Sequence, residues 1–289
     1  MITFKHILFP VDFSDRSRAS RDFVLSAARH FNARLTLLNI VQIPDAWYGF
    51  SDGSYPVFLD MPEMKDEALG RLDVFLDRPD PALKITRVAD QGDPSHRIIS
   101  YAEENGVDLI MMPTHGYGAF RNLLLGSVTA KVLHDAKCSV CTTAHSEDLD
   151  SSSGDAFKSV LCAINLTPES VCLIRYADDF ATEYGAKLRL VHAVSVAENR
   201  PENYLETDFR RFLFQEHREE IAKLQEKAGT QLEVCMEGGS VSSVIRGAAQ
   251  HHDADLLITG RGRLQHTLGR LRSNSYAIIR DAPCPVLSM

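Results

Sequence analysis

Two tandem α/β domains, each a mostly parallel five-stranded sheet flanked by helices, are predicted for this 289-residue chain by three observations. The first is an internal repeat. KHILFPVDFSDRS from Lys5 reappears 153 positions later as KSVLCAINLTPES from Lys158, and HDAKCSV from His134 returns 146 positions later as RDAPCPV from Arg280. The second is a regular alternation of short apolar runs with helix-patterned segments, which implies parallel strands covered on both faces. The third is an apolar run, Val107–Met112, followed by a glycine-containing loop and a helix start at Gly126-Ser127. A bare backbone and the free N–H groups of a first helical turn are what holding an anion requires.

The elements follow in order. Ile7–Asp12 is a short apolar strand. Ser14 is a candidate helix cap, and Ser17–Phe31 carries Ala19, Phe23, Ala27 and Phe31 at helical spacing. Leu35–Val41 is the second strand, and an irregular, aromatic-rich stretch leads to a helix over Glu63–Leu76. Leu83–Ala89 alternates as a half-buried strand does, and Gly92-Asp93-Pro94 opens the next helix, with proline tolerated in its first turn. Val107–Met112, Ser127–His134 and Ser139–Ala144 complete the first copy, which spans residues 1–146. A polar, acidic, serine-rich linker occupies 147–156, and the second copy runs over 157–289.

Composition narrows the function. Apolar content of 44% and charged content of 24% are those of an ordinary globular protein, and 289 residues suit two domains. A net charge of -8 argues against nonspecific binding to nucleic acid or anionic membrane. No apolar run approaches the roughly 18 residues of a membrane span, and the N-terminus reads as a strand rather than a leader. The six cysteines lie mostly in apolar segments, which is cytosolic usage rather than a disulfide framework. A cytoplasmic protein is expected.

The loop and helix start carry a resemblance. Pro113-Thr-His-Gly116, nine residues, then Gly126-Ser127 is similar to the universal stress protein signature Gly-x-x-Gly-x9-Gly-Ser/Thr, with Pro113 where the first glycine is usual. The resemblance covers nearly the whole chain, twice. It implies a Rossmann-like sheet of order 3-2-1-4-5, with a crevice beyond the ends of strands 1 and 4. Carried over from the ATP-binding members, Pro10, Val11 and Asp12 line an adenosine pocket and Val41 packs on the adenine. Met112, Pro113, Thr114, His115 and Gly116 pass under the ribose and phosphates, and Gly126, Ser127, Val128 and Thr129 donate to the phosphates. The ligand implied is ATP or a related adenine nucleotide, with or without Mg²⁺. Pro113 removes one N–H there and fixes a dihedral. Read without the resemblance, Asp12 could equally cap the following helix, and Ser127 could be an N-cap.

The second copy departs at the same positions. Asp12 becomes Asn165, Pro113 becomes Thr259, Gly116 is kept as Gly262, and Gly126-Ser127 becomes Arg272-Ser273. The site of the second copy is therefore expected to be degenerate. Arg261, Arg263, Arg270 and Arg272 either form an anion site with guanidinium groups or pair with acids.

Catalysis has little support. No G-x-x-x-x-G-K-[ST], G-x-S-x-G, acidic Mg²⁺ pair or zinc-spaced His/Cys set is present, so no catalytic residue and no structural metal are expected. Slow ATP hydrolysis is left open. Cys138 and Cys141 stand three apart on a strand and so face opposite ways, and His251-His252 ends a helix, where a cation suits the dipole. The expected function is a nucleotide-binding stress-response switch or sensor with an unidentified protein partner. The alternative is a non-nucleotide ligand-binding or scaffold protein of the same fold. Two further expectations concern shape. The strands Ser139–Thr143 and Pro285–Met289 lie near each other in an internal pseudo-dimer, with homodimers of the chain compatible, and the aromatic loop Ala46–Pro62, which holds Trp47, closes over the crevice.

Overall fold

Strand β1, His6–Pro10, is buried at every position, as an apolar run in the middle of a parallel sheet has to be. It belongs to a computed structural model that describes residues 3–42, 61–76, 81–114, 125–143, 157–195, 204–261 and 273–289. The chain divides into two units, Phe4–Val140 and Cys141–Met289.

After β1 the chain forms α1 (Asp15–Ala19) and α2 (Arg21–His30), where the periodicity suggested one helix. Ser14 caps α1, its hydroxyl accepting from Ser17 N–H at 3.2 Å. Ser20 breaks the run: its hydroxyl bonds back to the Arg16 carbonyl at 2.8 Å, and such back-bonding bends helices. Then come β2 (Arg34–Val41), α3 (Met61–Phe75) and β3 (Ile85–Gln91). β3 lies two residues later than its alternation suggested. Its limits follow from pairing with β2, which runs from Leu35 opposite Ile85 to Val41 opposite Gln91. α4 (Pro94–Glu104) starts as expected, with Asp93 accepting from His96 N–H at 2.8 Å and Gly92 holding φ +126°, a value L side chains rarely adopt. β4 (Leu109–Met112), α5 (Ser127–Asp135) and β5 (Ser139–Thr142) follow.

The second set repeats the plan: β6 (Ser159–Ala163), α6 (Glu169–Tyr184), β7 (Lys187–Val194), α7 (Tyr204–Ala228), β8 (Glu233–Gly238), α8 (Val241–His251), β9 (Leu256–Thr259), α9 (Ser273–Asp281) and β10 (Val286–Ser288). Gly185, at φ +63°, ends α6 in the left-handed conformation common at helix C-termini.

The strands run β3-β2-β1-β4-β5 in the first set and β8-β7-β6-β9-β10 in the second, which is the order 3-2-1-4-5 both times. β1 pairs in parallel with β2 and β4, and β6 with β7 and β9. Leu8, Phe9, Ile110 and Met111 are fully enclosed in the first core, as are Leu161, Ile174 and Leu190 in the second. Burying such a side chain contributes about 1.5–3 kcal/mol each. No helix among the described residues is long and apolar enough to cross a membrane. The linker 147–156, Trp47 and most of the loop Ala46–Pro62 lie outside the described residues; the end of that loop, from Met61, is already helical.

Candidate functional site

The reversal of strand order between β1 and β4 opens a cleft at their carboxyl ends, because neighbouring helices leave in opposite directions there. A cavity of about 870 Å³ occupies it in the N-terminal unit. That lies within the roughly 300–1,000 Å³ usual for small-molecule sites.

The end of β1 supplies Pro10, Val11, Asp12 and Phe13. Val11 is a wall and not a donor: its N–H donates to Leu38 O at 2.8 Å, and its carbonyl accepts from Asn39 Nδ2 at 2.7 Å. Asp12 Oδ1 accepts from Ser14 N–H (3.0 Å), Ser14 Oγ (2.6 Å) and Ser17 Oγ (2.5 Å), while the residue stays exposed. Asp12 therefore organises the turn into α1 and also borders the cavity. Phe13 is buried at φ +62°, a conformation that costs a bulky side chain about 1–3 kcal/mol. It packs edge-on to Phe75, with the Arg71 guanidinium 3.9 Å above its ring.

Val41 and the preceding Leu38, Asn39 and Ile40 form the wall from β2. α3 adds Met64, Glu67, Ala68 and Arg71, and α4 adds Pro94 and Ile98. From β4 and the start of α5 come Met112, Pro113, Gly126, Ser127, Val128 and Thr129. Two bonds tie these last two pieces together. Gly126 N–H donates to Thr114 O at 2.9 Å, and Thr129 Oγ1 donates to Pro113 O at 3.0 Å. The first bond within the α5 turn runs from Ala130 N–H to Gly126 O, and no side chain caps the helix. The N–H groups of Ser127, Val128 and Thr129 thus open the helix at its positive end. The Thr129 hydroxyl is already engaged with Pro113, so what Thr129 presents there is its N–H.

Of the N-terminal residues singled out from the sequence, ten line this one cavity: Pro10, Val11, Asp12, Val41, Met112, Pro113, Gly126, Ser127, Val128 and Thr129. Thr114 is buried just beyond it, and His115 and Gly116 lie outside the described residues. Sequence reasoning missed Phe13, Asn39, Glu67, Arg71 and Ile98. Phe13 was the findable one, as a large aromatic directly after the acid that ends β1. Asn39 stands two before Val41 on β2, and Glu67, Arg71 and Ile98 are set by how α3 and α4 pack.

The C-terminal unit repeats the turn chemistry. Asn165 Oδ1 accepts from Thr167 Oγ1 and Ser170 Oγ, both at 2.7 Å, as Asp12 does from Ser14 and Ser17. Thr259 ends β9 and is buried, and Ser273 opens α9. Gly262, Arg263, Arg270 and Arg272 lie outside the described residues. Where Asn39 borders the first cavity, the second unit has His192. Its Nδ1 lies 3.0 Å from the Ile164 carbonyl and its Nε2 2.9 Å from His217 Nδ1 on α7. A carbonyl only accepts, so His192 is protonated at Nδ1 and takes the His217 proton at Nε2. Burial first, and His217 in addition, hold the His192 pKa below its ordinary value. Elsewhere, burial pushes the Cys141 thiol up to about 12, so it stays protonated near neutral pH.

Comparison with known proteins places these features. A family model described as the universal stress protein family matches residues 3–143 and 156–288. A universal stress protein of Methanocaldococcus jannaschii (MJ0531) is 28% identical over 138 residues, which is 47% of this chain and 80% of that protein. The YxiE universal stress protein of Bacillus subtilis is 27% identical over 143 residues, 47% of this chain and 97% of that one. Among solved structures, a universal stress protein from Archaeoglobus fulgidus superposes with a TM-score of 0.66 at 22% identity, covering 99% of this chain and 97% of its own. The Pseudomonas aeruginosa protein PA1789, of unknown function, reaches 0.69 at 16% identity, covering 99% and 92%. At these identities the superpositions speak to fold.

Proposed function

We propose, from the premise that this chain belongs to the universal stress protein family, that its N-terminal unit is an adenine-nucleotide-binding switch or sensor. The observation that carries this reading is the convergence in one cavity of an acid at the end of β1, an apolar wall from β2, and the uncapped N-terminus of α5. An apolar slot suits a base, a carboxylate suits ribose or base polar groups, and helix N–H groups suit phosphate. Asp12 and Glu67 face a single cation, Arg71, among the described lining residues. Polyphosphate binding would therefore lean on the α5 amides and on a co-bound cation such as Mg²⁺.

The proposed role is binding, not turnover: among the described lining residues there is no histidine, and of the two carboxylates, Asp12 and Glu67, Asp12 Oδ1 is already engaged by Ser14 and Ser17. Ligand occupancy would be read by a protein partner in the cytoplasm. Mass spectrometry of small molecules released on denaturing the purified protein tests this reading. Release of an adenine nucleotide near one per chain supports it. A different metabolite at that stoichiometry overturns it in favour of a non-nucleotide ligand protein of the same fold.

A further inference from the structure

Away from the cavity, Glu233, Cys235 and His252 bring three metal-ligating side chains together in the C-terminal unit. Their ligand atoms all lie within 4.8 Å of one another. We propose that they form a site for one divalent transition metal of the zinc type, with solvent completing a tetrahedral shell.

Strand alternation places Glu233 and Cys235, two residues apart on β8, on the same face. His252 caps α8 and comes to meet them, with Cys235 Sγ 3.1 Å from its Nε2. The supporting backbone is fixed. His252 N–H donates to Ala248 O at 3.1 Å, and its carbonyl accepts from Ser159 Oγ at 2.9 Å. Glu233 is held as well: Arg189 Nε at 2.9 Å and Lys187 Nζ at 3.1 Å both donate to Oε2, which fixes the carboxylate beside the cluster. Glu233 is exposed and the other two are half-buried, so an ion can reach the cluster.

The donor set selects the metal class. Thiolate with imidazole and one carboxylate suits Zn²⁺ or Co²⁺, whereas Mg²⁺ and Ca²⁺ take oxygen ligands. A cysteine ligates as the thiolate and an imidazole as the neutral ring, so the thiol has to give up its proton as metal arrives. Binding then breaks the Cys235 S–H bond, forms an S–metal bond, and releases that proton to solvent, with no change of oxidation state. Arg189 and Lys187 repel the incoming cation in part, so the site is weaker than a closed four-ligand one. The sequence offered no zinc-type spacing because two ligands come from a strand and the third from a helix end seventeen residues away.

Titration of the full chain with Co²⁺ under reducing conditions tests this directly. The expected result is a thiolate-to-cobalt charge-transfer band that saturates at one equivalent, is accompanied by proton release, and is displaced by Zn²⁺. Cys235→Ser should abolish the band, and Cys172→Ser, at an exposed cysteine, should leave it intact. Glu233→Gln, at an exposed residue, keeps the test valid if Cys235→Ser misfolds: it should weaken Co²⁺ binding while the circular dichroism spectrum stays unchanged. No charge-transfer band, a band that survives Cys235→Ser, or unchanged affinity in Glu233→Gln would overturn the assignment.

Discussion

Replacing Gly126 by arginine, the residue at the matching position of the second copy, separates what the glycine does for the fold from what it does for a ligand. Gly126 sits at φ -58° and ψ 141°, a conformation open to any residue, so backbone strain does not explain it. Its main-chain bonds, to Thr114 O and from Ala130 N–H, involve no side chain and survive the substitution. The unliganded protein should therefore unfold within about 1 kcal/mol of the parent, as surface changes usually do. A side chain at this position instead crowds the approach of a phosphate to the N–H groups of Ser127, Val128 and Thr129. Losing two charge-assisted hydrogen bonds at about 1.5–3 kcal/mol each weakens binding by about 10²- to 10⁴-fold. Isothermal calorimetry with ATP and Mg²⁺ should show about one site per chain in the parent and none in Gly126→Arg. Arg272→Ala should bind like the parent. Unaltered affinity in Gly126→Arg, or two equal sites in the parent, would refute the reasoning.

Other expectations follow from the same contacts. Asp12→Asn should keep the turn, because Asn165 holds the equivalent hydroxyls at 2.7 Å with an amide oxygen, yet it should weaken nucleotide binding; a large fall in melting temperature would contradict this. Thr129→Val removes the donor to the buried Pro113 carbonyl and should cost about 1–3 kcal/mol, read as a lower urea midpoint at unchanged slope. His192 has a folded pKa below its unfolded value, so the unfolded chain binds the proton first. Its contribution is fully present above the unfolded pKa of about 6.5 and is lost as pH falls from there toward the folded value. His192→Asn, which copies Asn39, should flatten the loss of stability between neutral and mildly acidic pH; an unchanged slope in urea titrations would count against a lowered pKa for the buried His192. Buried His6, whose pKa is also lowered, leaves a residual slope of the same sign.

The fold was legible because its signals are local or repeated. The two KHILFPVDFSDRS-like segments declare the duplication, and the Ser14 and Asp93 caps and Gly92 mark where helices begin. Strand-end residues such as Asp12, Val41 and Met112 could be assigned to one site because, once the strand order is known, carboxyl ends converge at its reversal. Sequence periodicity did not show the break at Ser20, which one hydroxyl bonding back to Arg16 produces, or the limits of β3, which its partner β2 imposes. Nor did it show Arg71 over Phe13, Thr129 engaged by Pro113, His192 bonded to His217, or Cys235 against His252. Each of these joins residues from different elements, and no pattern within a single helix or strand encodes which side chains meet when elements pack. The sequence by itself determined the repeated strand-and-helix plan and where its crevice falls. Tertiary packing decided which donors in that crevice remain open to a ligand and which are already bonded to the protein.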